Sequence, residues 1–434
     1  MATDPAAVPP SPAPRLVDQQ LRTRAQRVIP GGMYGHMSTA LLPGNYPQFF
    51  SHARGAHVFD ADGNRYLDLM CAYGPNLFGY GHESIDRAFT QQLARGDLAP
   101  GPSPLMVDLA EQLVALIAHA RWAMFCKNGT DATTMALMVA RAHTNRRIVI
   151  RCAGSYHGSA PWCTPIARGT LPEDRAHQLS CTYNDTASLQ TALDAAGDDL
   201  AAVIVTPYRH DAFRDQAAIE RDFAQQLRAA CNLRGAVLIL DEVRAGLRLQ
   251  RDTSWSVLGV EPDLSCWGKA LANGHPLSAL LGGERLRAAA SSIYVTGSFW
   301  YAAAPMAAAL ETLRLVRDSH YLEQLEHLGE RLRHGLAAAA HRHGFEFRQT
   351  GPVQMPLFLF ADDPDLRLGF GWCSEMLDRG IYVHPWHNMF LCAAMTAADI
   401  DAAVEAADGA FAALNRARPG LEPHPGIKAL MSSR

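Results

Sequence analysis

Residues 238–248 read LILDEVRAGLR, an apolar run that ends on an acid, Asp241. A buried strand that delivers a carboxylate at its carboxyl end sets it where open α/β sheets bind ligands. Taken alone, the same letters fit an Asp that caps the following turn. Lys269 follows inside PDLSCWGKALANG, a segment opened by Pro262-Asp263 and punctuated by Gly268 and Gly274. A lysine among small and apolar side chains loses hydration of its charged form, which lowers its pKa and makes the amine nucleophilic. A surface lysine laying its stem along a helix fits the same local pattern.

Two upstream segments add binding chemistry. In CKNGTDATTMALMVARAHT, residues 126–144, Asn128-Gly129-Thr130 precedes a helix with an apolar stripe of Ala132, Met135, Ala136, Val139 and Ala140. A Gly-Thr turn at a helix N-terminus offers backbone N–H groups and a hydroxyl to a phosphate, although an ordinary cap by Thr130 or Asp131 reads the same way. Gly154-Ser155-Tyr156-His157-Gly158 sets an aromatic between glycines, a platform for a flat ring or simply a turn.

The elements that must position these residues alternate between short apolar strands and amphipathic helices. Strands are predicted at Arg147–Arg151, Ala201–Thr206 and Ala236–Leu240, with helices near 104–119, 131–143, 187–196 and 216–232. Such βα alternation predicts a mostly parallel, helix-covered sheet. Ahead of it, Arg15–Val28 reads as a helix stopped by Pro30-Gly31-Gly32, and Gly55–Asp68 as a hairpin around Asp62-Gly63. After about Asp318 a long helix, Tyr321–His341, leads into strands at Glu346–Gln349, Met355–Phe360 and Ile381–His384 and a last helix from near Ala397. This part reads as a smaller α+β lobe to which the hairpin returns. The boundaries implied are a flexible tail at 1–14, small-domain segments at 15–80 and 319–434, and a large domain at 81–318.

Composition narrows the class. At 434 residues, 48% apolar and 19% charged, the chain is long enough for two lobes and ordinary for a globular protein. Its net charge of −4 and its scattered basic residues give no footprint for nucleic acid or an anionic membrane. Nine cysteines, an odd number without a CxxC pair or zinc spacing, fit reduced thiols and no metal site. The stretch from Met1 to Pro14 has no apolar core of a signal peptide, and no run reaches membrane-span length. The expectation is a cytoplasmic protein.

The order of the four chemical segments is more specific than any one of them. NGTDATTMALMVAR, GSYHG, LILDEVRAG and PDLSCWGKALANGHPLSALLGG together resemble the class III aminotransferases of pyridoxal-phosphate (PLP) fold type I, nearest to the subgroup containing glutamate-1-semialdehyde aminomutase. The hairpin GAHVFDADGNRYLD is similar to that family's early segment, and the likeness runs from about Val28 to the C-terminal helix. It implies an α/β fold: a large domain with a mostly parallel seven-stranded sheet between helices, plus a smaller α+β domain. It implies PLP carried as a Schiff base on Lys269, which then shuttles a proton. Asp241 pairs with the pyridine nitrogen, and Val243 and Tyr156 pack on the ring faces with His157 beside them. Gly129 and Thr130 hold the phosphate, and Ser298 reaches the phosphate of a neighbouring subunit, which implies a homodimer with shared sites.

The substrate end departs from the aminomutase pattern. Ser38, in the stretch after Pro30-Gly31-Gly32, stands where that enzyme has a carboxylate-holding arginine; Thr206-Pro207 replaces a Glu-Pro, and Phe390–Ala394 and GSFWYAAAP replace other family segments. Losing a bidentate arginine removes a carboxylate anchor. Arg209 restores an anionic subsite from another direction, or pairs with Asp211 or Asp215. Tyr34 and Trp300, with Tyr301, Tyr208 and Trp386, are candidate walls for a bulky, partly apolar amine, or equally core or interface aromatics. The expected function is a ping-pong aminotransferase acting between an amine or amino acid and an aldehyde or keto acid. An aminomutase, a racemase or a catalytically silent PLP-binding protein are the alternatives.

Overall fold

A computed structural model describes residues 15–432, so the tail expected at 1–14 lies outside the described residues. Backbone contacts divide the described residues into two units: residues 15–82, 212–215 and 323–432 form one, and 83–211 with 216–322 the other.

The second unit is built on a seven-stranded sheet. Its strands are β1 (Trp122–Cys126), β2 (Ile148–Cys152), β3 (Gln178–Cys181), β4 (Leu200–Val205), β5 (Val237–Asp241), β6 (Leu264–Trp267) and β7 (Ser278–Gly282), in the order β1-β7-β6-β5-β4-β2-β3. β5 pairs in parallel with β4 and β6, and β2 with β3 and β4, while β7 runs antiparallel to β6 and β1. β4 and β5 are buried along their whole length, as a sheet covered on both faces requires. Ile150, Val203, Leu238 and Leu240 pack on one face with Leu193, Phe223 and Leu227 of the covering helices. Ala202, Ile204, Val237 and Ile239 pack on the other with Met135, Ala136 and Val139 of the helix Gly129–Thr144. The expected α/β class and mostly parallel seven-stranded sheet are what the chain forms. The helix expected over 216–232 begins later, at Arg221, because Ala217–Ala218 pairs with Tyr208–Arg209 in a two-residue ladder.

The first unit carries the hairpin. His57–Asp60 and Arg65–Asp68 pair antiparallel, and Arg65–Asp68 pairs in parallel with Ile381–Tyr382. Asp62 of the turn accepts the backbone N–H groups of Val17 and Asp18 at 2.7 and 2.9 Å, capping the helix Leu16–Val28 from a distant part of the chain. Phe347, Phe358, Phe360, Trp372 and Phe411 form an aromatic cluster under the helices Arg367–Asp378 and Ala397–Ala417. A further helix, Pro425–Ser432, follows the last one expected. All nine cysteines are buried and none is in a disulfide. Among the described residues no helix is long and apolar enough to cross a membrane.

Asp263 sets the register of the strands that matter most. It takes the N–H of Leu238 at 2.8 Å, and its carboxylate meets Arg228 at 2.9 Å and Arg285 at 2.7 Å. Burial pushes its carboxyl up, but the two guanidiniums and the backbone donor outweigh that and hold it below the usual range. A depressed carboxyl contributes stability that is present above the unfolded-state value and is lost as pH falls through the folded one. Asp263→Asn should therefore cost about 2 kcal/mol at neutral pH, allowing for solvent screening at half-exposed Arg285. The measurement is the thermal midpoint of both proteins at pH 7 and at about pH 3, below the ordinary carboxylate value, where the gap should narrow.

Candidate active site

Asp241 is the last residue of β5 and is 4% exposed. It lies opposite Cys266 of β6, and β6 then runs through extended Gly268 into Lys269, whose φ is +47°. Backbone in the left-handed region is costly for a lysine and persists where the surroundings over-determine it, commonly at functional sites. Here the short helical turn Lys269–Ala272 follows at once, with Ala270, Leu271 and Ala272 buried.

The electrostatics of Lys269 match the chemistry expected of it. Burial first, then the neighbouring Arg244 guanidinium, lower its amine to about 7, while Asp241 pulls the other way. A large share of the amine is therefore neutral, and so nucleophilic, near physiological pH. The chain holds three lysines in all: Lys127, Lys269 and Lys428. Lys127 donates its Nζ to the carbonyl of Pro276 at 3.0 Å, and Lys428 is exposed. Lys269 is the lysine grouped electrostatically with Asp241.

The upstream segments converge on the same strand ends. Gly129 opens the helix Gly129–Thr144, whose N-terminus is tied by the bond from Asn128 N to Asp131 Oδ2 at 2.9 Å. A Cβ at Gly129 would stand 2.6 Å from Val243, and one at Gly268 would stand 3.6 Å from the same side chain. Val243 thus sits between the helix N-terminus and the lysine segment. Thr130 Oγ1 accepts the N–H of Ser159 at 3.2 Å and keeps its own proton to donate. A Cβ at Gly158 would strike Thr130 Oγ1 at 2.4 Å, so glycine is needed for this approach. His157 is buried, with Nδ1 2.7 Å from Asp241 Oδ2, whereas Tyr156 beside it is 44% exposed.

Lys269, Asp241, His157, Val243, Gly129 and Thr130 are therefore drawn together, with Tyr156 at the rim. Ser298 lies apart, exposed on the turn Gly297–Trp300, where Trp300 N bonds to Gly297 O at 2.9 Å. Arg209 sits half-buried in its two-residue strand, and Asp215, one suggested partner, pairs with Arg348 at 3.1 Å. Tyr34 and Ser38 belong to the first unit: Tyr34 is 73% exposed, and Ser38 Oγ caps a short turn by accepting Ala40 N. Sequence reasoning passed over Arg244, Glu242 and Ser155. Arg244 donates to His210 O at 3.2 Å. Buried Glu242 takes both the N–H and the hydroxyl of Ser254, and burial pushes its carboxyl to about 8, so at neutral pH it is largely protonated. All three stand inside the motifs already singled out, where residue type alone carries no sign of contact.

These residues fit PLP. A neutral amine, a carboxylate at a strand end, and a helix N-terminus kept open by Gly129 and Gly158 are the donors that an aldehyde, a pyridine nitrogen and a phosphate require.

Residues 42–407 match the profile of the class III aminotransferases. The chain is 54% identical over 407 residues to the aminopentol aminotransferase of Sphingopyxis macrogoltabida, covering 94% of this chain and 96% of that protein. It is 31% identical over 424 residues to the glutamate-1-semialdehyde 2,1-aminomutase of Desulforapulum autotrophicum, covering 91% and 98%. The PLP internal aldimine form of the Sphingopyxis sp. MTA144 FumI protein superposes with a TM-score of 0.94 at 54% identity, over 94% of this chain and 99% of that one. The likeness to aminomutases is thus the more distant one. The chain belongs to the class III aminotransferases and is a PLP-dependent transaminase.

Proposed function

We propose that the chain takes the amino group of a primary amine bearing several hydroxyls and passes it to a keto acid, with Lys269 as the amine that carries the cofactor. The observation that carries the donor class is the 54% identity, over nearly the whole chain, to a protein named for aminopentol. Aminomutase chemistry has weaker support: the identity there is 31%, and Ser38 offers no charge to a substrate carboxylate.

When bound, PLP supplies a conjugated ring that takes up the electron pair released at the substrate carbon. The chain's own residues do the rest. The neutral Lys269 Nζ would hold the cofactor at its aldehyde carbon, and the same amine would move a proton at the substrate carbon. Asp241 keeps a proton on the pyridine nitrogen. The first-turn amides at Gly129 and Thr130 and the Thr130 hydroxyl would hold the phosphate, Val243 and Tyr156 would pack against the ring, and His157 steadies Asp241. Arg209 and Trp300 are proposed as substrate contacts in the second unit, and Tyr34 and Ser38 in the first. Ser298 stands between Tyr294 and Phe299, which are 87% and 65% exposed. Exposed aromatics at that position support a homodimer in which Ser298 serves the partner's phosphate.

Two outcomes test this. With a polyhydroxylated amine and no acceptor, the enzyme should transfer one amino group per site and stop, and added pyruvate should restart it. Continued turnover without an acceptor would indicate a mutase instead. Asp241→Asn should retain cofactor yet lose at least about 100-fold in kcat, read in single-turnover amine deamination.

A further inference from the structure

The acid that ends β5 is held by a row of hydrogen bonds in which the protons can be counted. Ser155 Oγ donates to the carbonyl oxygen of Cys152 at 2.6 Å. A carbonyl can accept but not donate, so the single hydroxyl proton is committed there. The same Oγ lies 3.0 Å from His157 Nε2 and towards that atom is an acceptor, which requires a proton on Nε2. Across the ring, Nδ1 lies 2.7 Å from Asp241 Oδ2, and Asp241 Oδ1 accepts the N–H of Val243 at 3.1 Å. An ionised carboxylate donates nothing, so with Asp241 charged Nδ1 also carries a proton.

We propose that Ser155 is a positioning residue that fixes His157 as a doubly protonated imidazolium, and that this cation holds Asp241 as a carboxylate. The competing arrangement, a neutral acid donating to a neutral ring, uses the same distances. It is disfavoured because the buried Arg244 guanidinium is grouped with Asp241 and stabilises its charged form. Of the other titratable groups nearby, Tyr156, Cys163 and Cys266 are pushed up by burial and stay neutral, while Asp211 lies against Gly154 and faces Arg244, and Arg151 and Arg175 face Cys163.

The main chain that carries the imidazole is held in place. Thr133 Oγ1 donates to His157 O at 2.8 Å, and the Trp162 ring lies parallel to the imidazole within 16°, its own Nε1 tied to Thr134 Oγ1 at 3.0 Å. Cys152, whose carbonyl takes the serine proton, is fixed at the end of β2 in register with Cys181. The acceptor that sets the proton count is thus part of the sheet. The consequence for the pyridine nitrogen rests on the role proposed above for Asp241; the proton count on His157 does not.

The test is a long-range ¹H–¹⁵N spectrum of the holoenzyme grown with ring-labelled histidine, with His157 assigned as the signal lost in His157→Gln. Both ring nitrogens of His157 should remain protonated from about pH 7 to 8.5, where exposed histidines are neutral. Ser155→Ala should lose one of the two ring protons in that range, and Ser155→Thr should restore it. A single protonated nitrogen in the wild-type spectrum, or an imidazolium unchanged in Ser155→Ala, overturns the proposal. Neither readout depends on whether Asp241→Asn impairs turnover, so failure here is distinguishable from failure of the transaminase roles.

Discussion

An amine that must attack a carbonyl has to be neutral, and an amine that must stay neutral in water near pH 7 has to be taken out of water. That constraint shapes the second unit. Lys269 is withdrawn among buried Ala270, Leu271 and Ala272, and the adjacent Arg244 adds positive charge that discourages protonation. The acid the chemistry also needs, Asp241, ends a strand, takes a backbone N–H from Val243 and faces the His157 ring. The acid ends one strand and the amine follows close after the end of its parallel neighbour, so the ladder brings the two segments side by side.

The same strands are fixed at their other ends. Asp263 ties the start of β6 to Leu238 of β5 and to two arginines, so the register that brings Asp241 opposite Cys266 is anchored a few residues back. Glu242, next to Asp241, is kept from competing with it: full burial outweighs the Ser254 contacts and leaves it largely protonated at neutral pH. Two adjacent carboxyls therefore meet different surroundings: Asp241 faces the His157 ring and a backbone N–H, while Glu242 is sealed against Ser254. Small residues do the remaining work. Gly129 and Gly268 leave room for Val243, and Gly158 lets Thr130 approach the chain beside His157.

Much of this was legible in the letters. The strand leading to Asp241 was predicted within one residue of its observed start, since an unbroken apolar run between turn residues is what a doubly covered strand looks like. The hairpin at Asp62-Gly63 announced itself by alternation, although the capping of Leu16–Val28 by Asp62 did not, because it joins residues far apart in sequence. The helix expected from 216 was overdrawn because Ala217–Ala218 is helix-compatible locally and becomes strand through its pairing with Tyr208–Arg209. Arg244 and Ser155 were in plain view inside quoted motifs. What assigns them a part is which carbonyl and which charge they meet, and that is decided by the sheet. The residues proposed for the cofactor end were open to a reading from sequence because such chemistry demands particular residue types at strand ends and helix starts, and the structure draws them together. Ser38, Arg209 and Trp300 could not be read so well, because pocket walls answer to a substrate whose shape leaves no fixed pattern in the chain.

The central claim, that Lys269 is the amine that carries the cofactor, is tested most directly by reducing the holoenzyme with borohydride and mapping the modified peptide by mass spectrometry. With three lysines in the chain the assignment is unambiguous. The account predicts stoichiometric label on the peptide containing Lys269 and none elsewhere. Label on Lys127 or Lys428, or no covalent label at all, would contradict it.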